Sequence, residues 1–299
     1  MGYLHIPNLS PKDNDILLFK ECYAQEKCHG SSSHLKWSNG QLTIFSGGAK
    51  YETFVALFDK AKIEAAFREA VGEQEAVIFG EAYGGKMQGM SHTYGKELRF
   101  IAFDVKIGEC WLSVPQAEAF VKHFDIEFIP YVKVSTDMKS LDEQRDAPSV
   151  IAVRRGITEP KMREGVVLRP LFEYRKNNGE RVILKHKRAE FSETRPPKPI
   201  DPAKSKELEE ARVVAEEYVN ANRLANVLSH FPYGTGVEKT GDIIKAMLAD
   251  VKIALIESGK SQEEADAVLD NKETRKAISS RTVQMFKVNY PRINSWACP

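Results

Sequence analysis

A lysine becomes a nucleophile when the fold aims its amine at an electrophile and lets it shed a proton. The stretch Glu26-Lys27-Cys28-His29-Gly30 follows the apolar run Leu17-Leu18-Phe19 and precedes Ser31-Ser32-Ser33. A strand that ends in a lysine and then turns at a glycine can direct one amine at a bound phosphate. Taken alone, K-x-x-G describes an ordinary surface turn. Its weight comes from the order of its partners downstream: Glu81, Phe103-Asp104, Glu164-Gly165 and Lys185-x-Lys187. The last pair has strand spacing, which puts both amines on one face, where they can hold a phosphate and absorb charge that builds up during transfer. A free lysine, with a pKa of ~10.4, is neutral in only about one molecule in a few thousand at pH 7. Such a site therefore needs nearby cations, from lysines or a metal ion, to favour the neutral amine.

These residues meet only if strands carry them. Residues 18–26 read as a first strand, and 34–37 with 41–45 as a hairpin turned by Ser38-Asn39-Gly40. Further strands are expected at 76–81, at 100–107 paired with 110–113, and at 165–169 and 181–187, an antiparallel sheet grown by hairpins. Apolar residues from Phe54 to Phe67 recur at helical spacing and predict one helix over 53–71, with Gly72 as its C-cap. Shorter helices are expected at 115–124 and 140–146, and residues 1–16 read as an irregular lead-in. In Arg195-Pro196-Pro197-Lys198-Pro199-Ile200-Asp201-Pro202 neither helix nor central strand can persist. Beyond it the pattern is helical, at 203–230, 241–257, 262–270 and 272–285. The fold expected is α+β: an antiparallel-sheet domain over 1–195, a proline-rich linker over 196–202 and a small all-α domain over 203–299.

With 42% hydrophobic and 28% charged residues and a formal net charge of +1, the 299-residue chain is no disordered polyampholyte. Overall charge says nothing of polyanions, but from Arg169 to Lys198 nine Lys/Arg face four Asp/Glu, a local excess suited to a phosphate backbone. The four cysteines show neither CxxC nor metal-ligand spacing, which argues against a zinc site or a disulfide framework and fits a reducing compartment. No basic-then-apolar leader opens the chain and no apolar run approaches ~18 residues. No membrane partner is expected; the placement expected is the cytoplasm, or the host cytoplasm if the source is viral.

In order and type the five stretches resemble motifs I, III, IIIa, IV and V of the covalent nucleotidyltransferases, most closely those of the RNA ligase 2 family, over about residues 20–190. His29 stands where DNA ligases and capping enzymes of the superfamily carry Asp. A helical tail stands where those enzymes continue into a small β-barrel. The resemblance implies a nucleotidyltransferase domain of the ATP-grasp-like ligase type. It implies an ATP-dependent RNA ligase that joins a 3′-hydroxyl to a 5′-phosphate through lysyl-AMP and RNA-adenylate, acting in RNA repair as a monomer on nicked or splinted RNA. Lys27 would be the nucleophile, Lys185 and Lys187 would hold the α-phosphate, and Glu164 would hold Mg²⁺, for which Mn²⁺ can substitute. Glu81 would bond the ribose and Phe103 would stack on adenine beside its acidic partner Asp104. Glu26, His29 and Gly30 would complete the nucleotide pocket.

The alternatives are a DNA ligase or GTP-dependent capping enzyme, which His29 and the tail oppose, or a relative that binds RNA without chemistry. The retention of Lys27, Glu164, Lys185 and Lys187 opposes the last. Two positions depart from the family pattern: Ser32 stands where Asn is common, and Thr43-Ile44-Phe45-Ser46-Gly47-Gly48 lacks an expected Arg. Both touch the nucleotide or the incoming RNA phosphate in relatives. The glycine-rich 84–89 lacks phosphate-loop spacing and reads as a flexible loop.

Overall fold

A computed structural model describes residues 2–176, 179–191, 200–232 and 235–289. The first half runs β1 (Glu21–Glu26), β2 (Ser31–Ser38), β3 (Gln41–Ser46), α1 (Tyr51–Val55), α2 (Lys60–Val71), β4 (Ala76–Tyr83), α3 (Ser91–Tyr94), β5 (Arg99–Ile107), β6 (Cys110–Trp111) and α4 (Val114–Lys122). There follow β7 (Tyr131–Ser135), α5 (Met138–Arg145), α6 (Val150–Arg154), β8 (Gly165–Pro170) and β9 (Leu184–Lys187). The helical tail contains α7 (Pro202–Tyr218), α8 (Ala221–Ser229), α9 (Thr240–Glu257), α10 (Gln262–Asp270) and α11 (Lys272–Asn289).

Two antiparallel sheets form, one in the order β7-β1-β8-β9 and the other β3-β2-β4-β5-β6. The hairpin between β2 and β3 closes on Asn39 and Gly40, both at positive φ (52° and 71°), as a two-residue turn that follows strand twist requires. Leu35, Trp37 and Ile78 from one face of the five-stranded sheet pack on Phe54, Phe67, Phe120 and Phe124, with Trp37 stacked on Phe67 at 5.8 Å.

The helix expected over 53–71 is two helices. Asp59 accepts a hydrogen bond from the Lys62 amide and so caps α2, while Phe58 in the break packs edge-on against Phe54 and Phe100. Gly72 ends α2 at φ 59°. The helix expected over 203–230 also breaks, at Val219, which is extended and fully buried, and Asn220 caps α8 by accepting from the Arg223 amide. In both breaks a competent N-cap residue stands within an otherwise helical pattern. β7 and α6 were not expected. β7 alternates poorly because it lies at a sheet edge.

The linker expected at 196–202 falls largely outside the described residues. On either side of it the packing is continuous: Ile16, Leu17, Leu18, Cys22, Val166 and Leu168 share one apolar cluster with Leu208, Ala211, Met247, Val251 and Ile278. Lys276 pairs with Asp15 across the same boundary, and Lys176, on Asp15's own side, pairs with it at 2.8 Å. Cys22 and Cys28 are free and buried, whereas Cys110 is disulfide-bonded, a departure from the expectation of reduced thiols.

Candidate active site

Three strand ends converge because of register. β1 pairs with β8 so that Glu26 lies opposite Val166, and β8 pairs with β9 so that Gly165 lies opposite Lys187. One residue beyond β1, the Lys27 amide donates to the Gly165 carbonyl at 2.9 Å. Lys27, Glu164 and Lys187 are therefore neighbours although up to 160 residues apart in sequence. Gly165 sits at φ 151°, and a Cβ there would stand 2.2 Å from the His186 carbonyl oxygen, so only glycine lets the strands approach.

Glu164 is the hub. Its Oε2 accepts from Lys27 Nζ at 3.0 Å and bonds His29 Nδ1 at 3.0 Å, and its Oε1 pairs with Lys187 Nζ at 2.8 Å. Burial alone would raise this carboxyl, but the His29 bond, the Lys27 charge and the Lys187 bond outweigh it and hold it at about 2. The carboxylate is 1% exposed, and the lysines and His29 keep more of their surface.

Across the gap β4 supplies Glu81, whose Oε1 accepts from the Gly30 amide at 3.1 Å. A Cβ on Gly30 would fall 2.2 Å from the Ala82 carbonyl oxygen, so this glycine lets the turn lie against β4. Burial pushes the Glu81 carboxyl up to about 7; the Lys27 charge opposes the rise and the Glu164 charge adds to it.

A cavity of about 440 Å³ opens between the sheets, lined by Lys27, Ser32, Glu81, Phe103, Val167 and Lys185 together with Tyr3 to Ile6. A chamber of this size with an aromatic wall, a carboxyl and amines at one end suits a nucleotide. The lead-in is thus a wall of the cavity. Leu9 donates to the Lys185 carbonyl and the Lys185 amide donates to the Pro7 carbonyl, both at 2.9 Å, so the segment runs as a short added strand along β9. Tyr3 meets Phe103 edge-on at 4.9 Å. The sequence signalled none of this, because a single Tyr among prolines has no period.

Two expected pocket residues have their carboxylates engaged elsewhere. Glu26 is 2% exposed and caps α6, accepting from Ser149 Oγ, the Val150 amide at 2.8 Å and the Ile151 amide at 3.3 Å. Asp104 is fully buried, bonded to Arg169 at 2.9 Å, Arg181 at 2.7 Å and Tyr3 at 2.7 Å. Burial would raise it, and the two guanidinium charges prevail and lower it. Arg169 and Arg181, counted above in a strip for RNA, are 2% and 8% exposed and also grip Glu173, so they leave that strip. Their signal in the sequence was a charge inside an apolar strand, which burial permits only with a partner.

No group of three His, Cys, Asp or Glu side chains able to hold a metal occurs among the described residues. Glu164, a lone carboxylate facing the cavity lysines, fits only an ion that keeps several waters or takes phosphate oxygens, which is the habit of Mg²⁺.

Comparison with known proteins bears on family and fold. A family model described as RNA ligase matches residues 20–187. Among solved structures, a mutant of the Naegleria gruberi RNA ligase with ATP and Mn is similar, with a TM-score of 0.50 and 14% identity over 64% of this chain and 57% of that one. The same ligase with PPi gives 0.49 at 14% identity over the same shares. The chain thus spans little more than half the length of that protein, and at this identity the likeness speaks for the fold alone. No curated protein matches in sequence.

Proposed function

We propose that this chain, which belongs to the RNA ligase family, is an ATP-dependent RNA ligase of the RNA ligase 2 branch that works through Lys27. The observation that carries this reading is one buried carboxylate, Glu164, gathering the Lys27 and Lys187 amines at a cavity lined by Glu81, Phe103 and Lys185. In the first step the neutral Lys27 amine forms a bond to the α-phosphorus of ATP. The bond from that phosphorus to the bridging oxygen breaks, pyrophosphate leaves with the electron pair and the amine proton passes to solvent. Lys185 and Lys187, on one face of β9, hold the phosphate and absorb its developing charge. Mg²⁺, or Mn²⁺ in its place, would be held by Glu164 and would supply further positive charge to the phosphates.

Glu81 faces the sugar. With a carboxyl held at about 7 it presents a proton as readily as it accepts one near neutrality, which suits a ribose hydroxyl. Phe103 offers its ring to adenine, and Tyr3, also in the cavity wall, meets that ring edge-on. AMP then moves to an RNA 5′-phosphate, returning Lys27 as a free amine, and a 3′-hydroxyl displaces AMP to seal the strand. The reading places this chemistry in the cytosol, in RNA repair, on nicked or splinted RNA and by a monomer. No described helix is long and apolar enough to cross a membrane.

The test is incubation with ATP labelled at the α-phosphate, in parallel with GTP and with NAD. A covalent adduct from ATP alone is expected. An adduct from GTP alone would replace this reading with that of a capping enzyme.

A further inference from the structure

At the end of β1 far from Lys27, a second cleft of about 210 Å³ opens between the four-stranded sheet and helices α7 and α11. At ~3.3 Å per residue, the six residues of β1 put it about 20 Å from the nucleotide cavity. Its lining combines Lys20, Phe172, Arg212, Glu216 and Arg281.

The charges there are poorly satisfied. Lys20 is exposed, and neither it nor Arg281 has an acidic partner within ion-pair distance among the described residues; Arg281 bonds only the Val219 carbonyl, through Nε at 2.7 Å. Arg212 is 18% exposed, its nearest acid is Glu209 at 3.6 Å, beyond hydrogen-bond reach, and its buried Nε has no partner. Glu216, one turn further along α7, has a buried Oε1 that is likewise unmet. The remaining acid of the cleft, Glu21, is taken by Lys133 at 3.1 Å. Phe172 stands 41% exposed beside these groups. Those two atoms are closed to solvent, so a ligand in the cleft meets the remaining parts of the Arg212 and Glu216 side chains, which line it beside Lys20 and Arg281.

One chemical unit suits this lining. A phosphodiester answers Lys20, Arg212 and Arg281, a ribose 2′-hydroxyl donates to Glu216, and a sugar or base face covers Phe172. Glu216 would repel an isolated phosphate, which makes the hydroxyl the distinguishing element. We propose that this cleft binds a ribonucleotide unit of the RNA strand away from the reacting ends, and that Glu216 there favours RNA over DNA.

The proposal rests on the RNA ligase reading, and its test separates the two. Binding of the full chain to a nicked RNA duplex, and to the same duplex with 2′-deoxy strands, is measured at several salt concentrations, with the ATP adduct on Lys27 as the control of fold and nucleotide site. Lys20→Ala, which alters only an exposed side chain, and Arg281→Gln should each weaken RNA binding by roughly three- to tenfold. Each should lower the salt slope by about 0.9 per lost contact and leave the adduct unchanged. Glu216→Met should reduce the preference for RNA over DNA while binding to DNA holds or tightens. RNA binding and salt slope unmoved by Lys20→Ala and Arg281→Gln would overturn the site alone. Equal weakening of RNA and DNA by Glu216→Met would remove the hydroxyl contact. A wild-type chain that forms the adduct yet binds no RNA would overturn the substrate reading and this site with it.

Discussion

Two buried carboxylates organise this molecule, and each is held by two basic side chains. Around Glu164 the bases are lysines, Lys27 and Lys187, each joined through a single amine and 25% and 10% exposed, with His29 as a third contact. Around Asp104 they are arginines, Arg169 and Arg181, 2% and 4% exposed at the side chain. These also bind Glu173 and the Leu112 carbonyl, and Arg181 lies over the Trp111 ring at 4.0 Å. A lysine can lose its proton, pivot and attack; a guanidinium stays charged, and several bonds pin these two in place. On the function proposed above, an acid between two bases serves as a reactive centre where its members are few-bonded and reachable; around Asp104 the same motif is locked as a scaffold.

The sharpest way to break this contrast is at Lys27. Both Lys27→Ala and Lys27→Arg should abolish the covalent adduct while circular dichroism stays native, since arginine keeps the charge and lacks the neutral nucleophile; label retained by either variant ends the assignment. Asp104→Asn should act on stability instead. It leaves two buried guanidinium groups short of a counter-charge, at a cost of about 3–5 kcal/mol, to be read as a fall in the urea midpoint. An unchanged midpoint would deny Asp104 its scaffold role. Glu164→Gln should slow adduct formation by roughly one to three orders of magnitude, if the group supplies about 2–4 kcal/mol to the transition state, and should also lower the midpoint, since the 1% exposed carboxylate pairs with Lys27 and Lys187. Wild-type rates at low magnesium would contradict that.

Smaller effects refine the picture. Phe103→Ala should raise the KM for ATP more than it lowers kcat, and identical ATP dependence would return the ring to a packing role alone. Glu81 and Glu164 should pull stability in opposite directions with pH. Glu81, raised from 4.5 to about 7, contributes stability that is full below about 4.5 and lost as pH rises through about 7. Glu164, lowered from 4.5 to about 2, contributes stability present above about 4.5 and lost as pH falls through about 2. Glu81→Gln should therefore flatten the decline between pH 5 and 8 and leave the acid limb alone, as urea midpoints across that range will show.

What the sequence determined by itself was many of the local elements, though not β7, α6 or the breaks in two helices, and the ordered list of chemical groups. The hairpin of 34–37 with 41–45, its Asn39-Gly40 turn and Gly72 at a helix end are decided within a few residues, and the structure has them there, with β2 starting three residues earlier, at Ser31. The motif lysines and glutamates were legible because strand spacing and residue type are local properties. Only the tertiary structure decided which carboxylate meets which base. Glu26, one residue from Lys27, turns away to cap a helix more than 120 residues later, because alternate side chains of a strand face opposite sides and its neighbour on that side is α6. Tyr3 and the lead-in became a cavity wall because β9 offered a free edge, and Arg169 and Arg181 became scaffold because Asp104 lies buried between them. Pairing between distant segments is set by register and by the cost of burying charge unpaired, and neither is written in any short stretch of the chain.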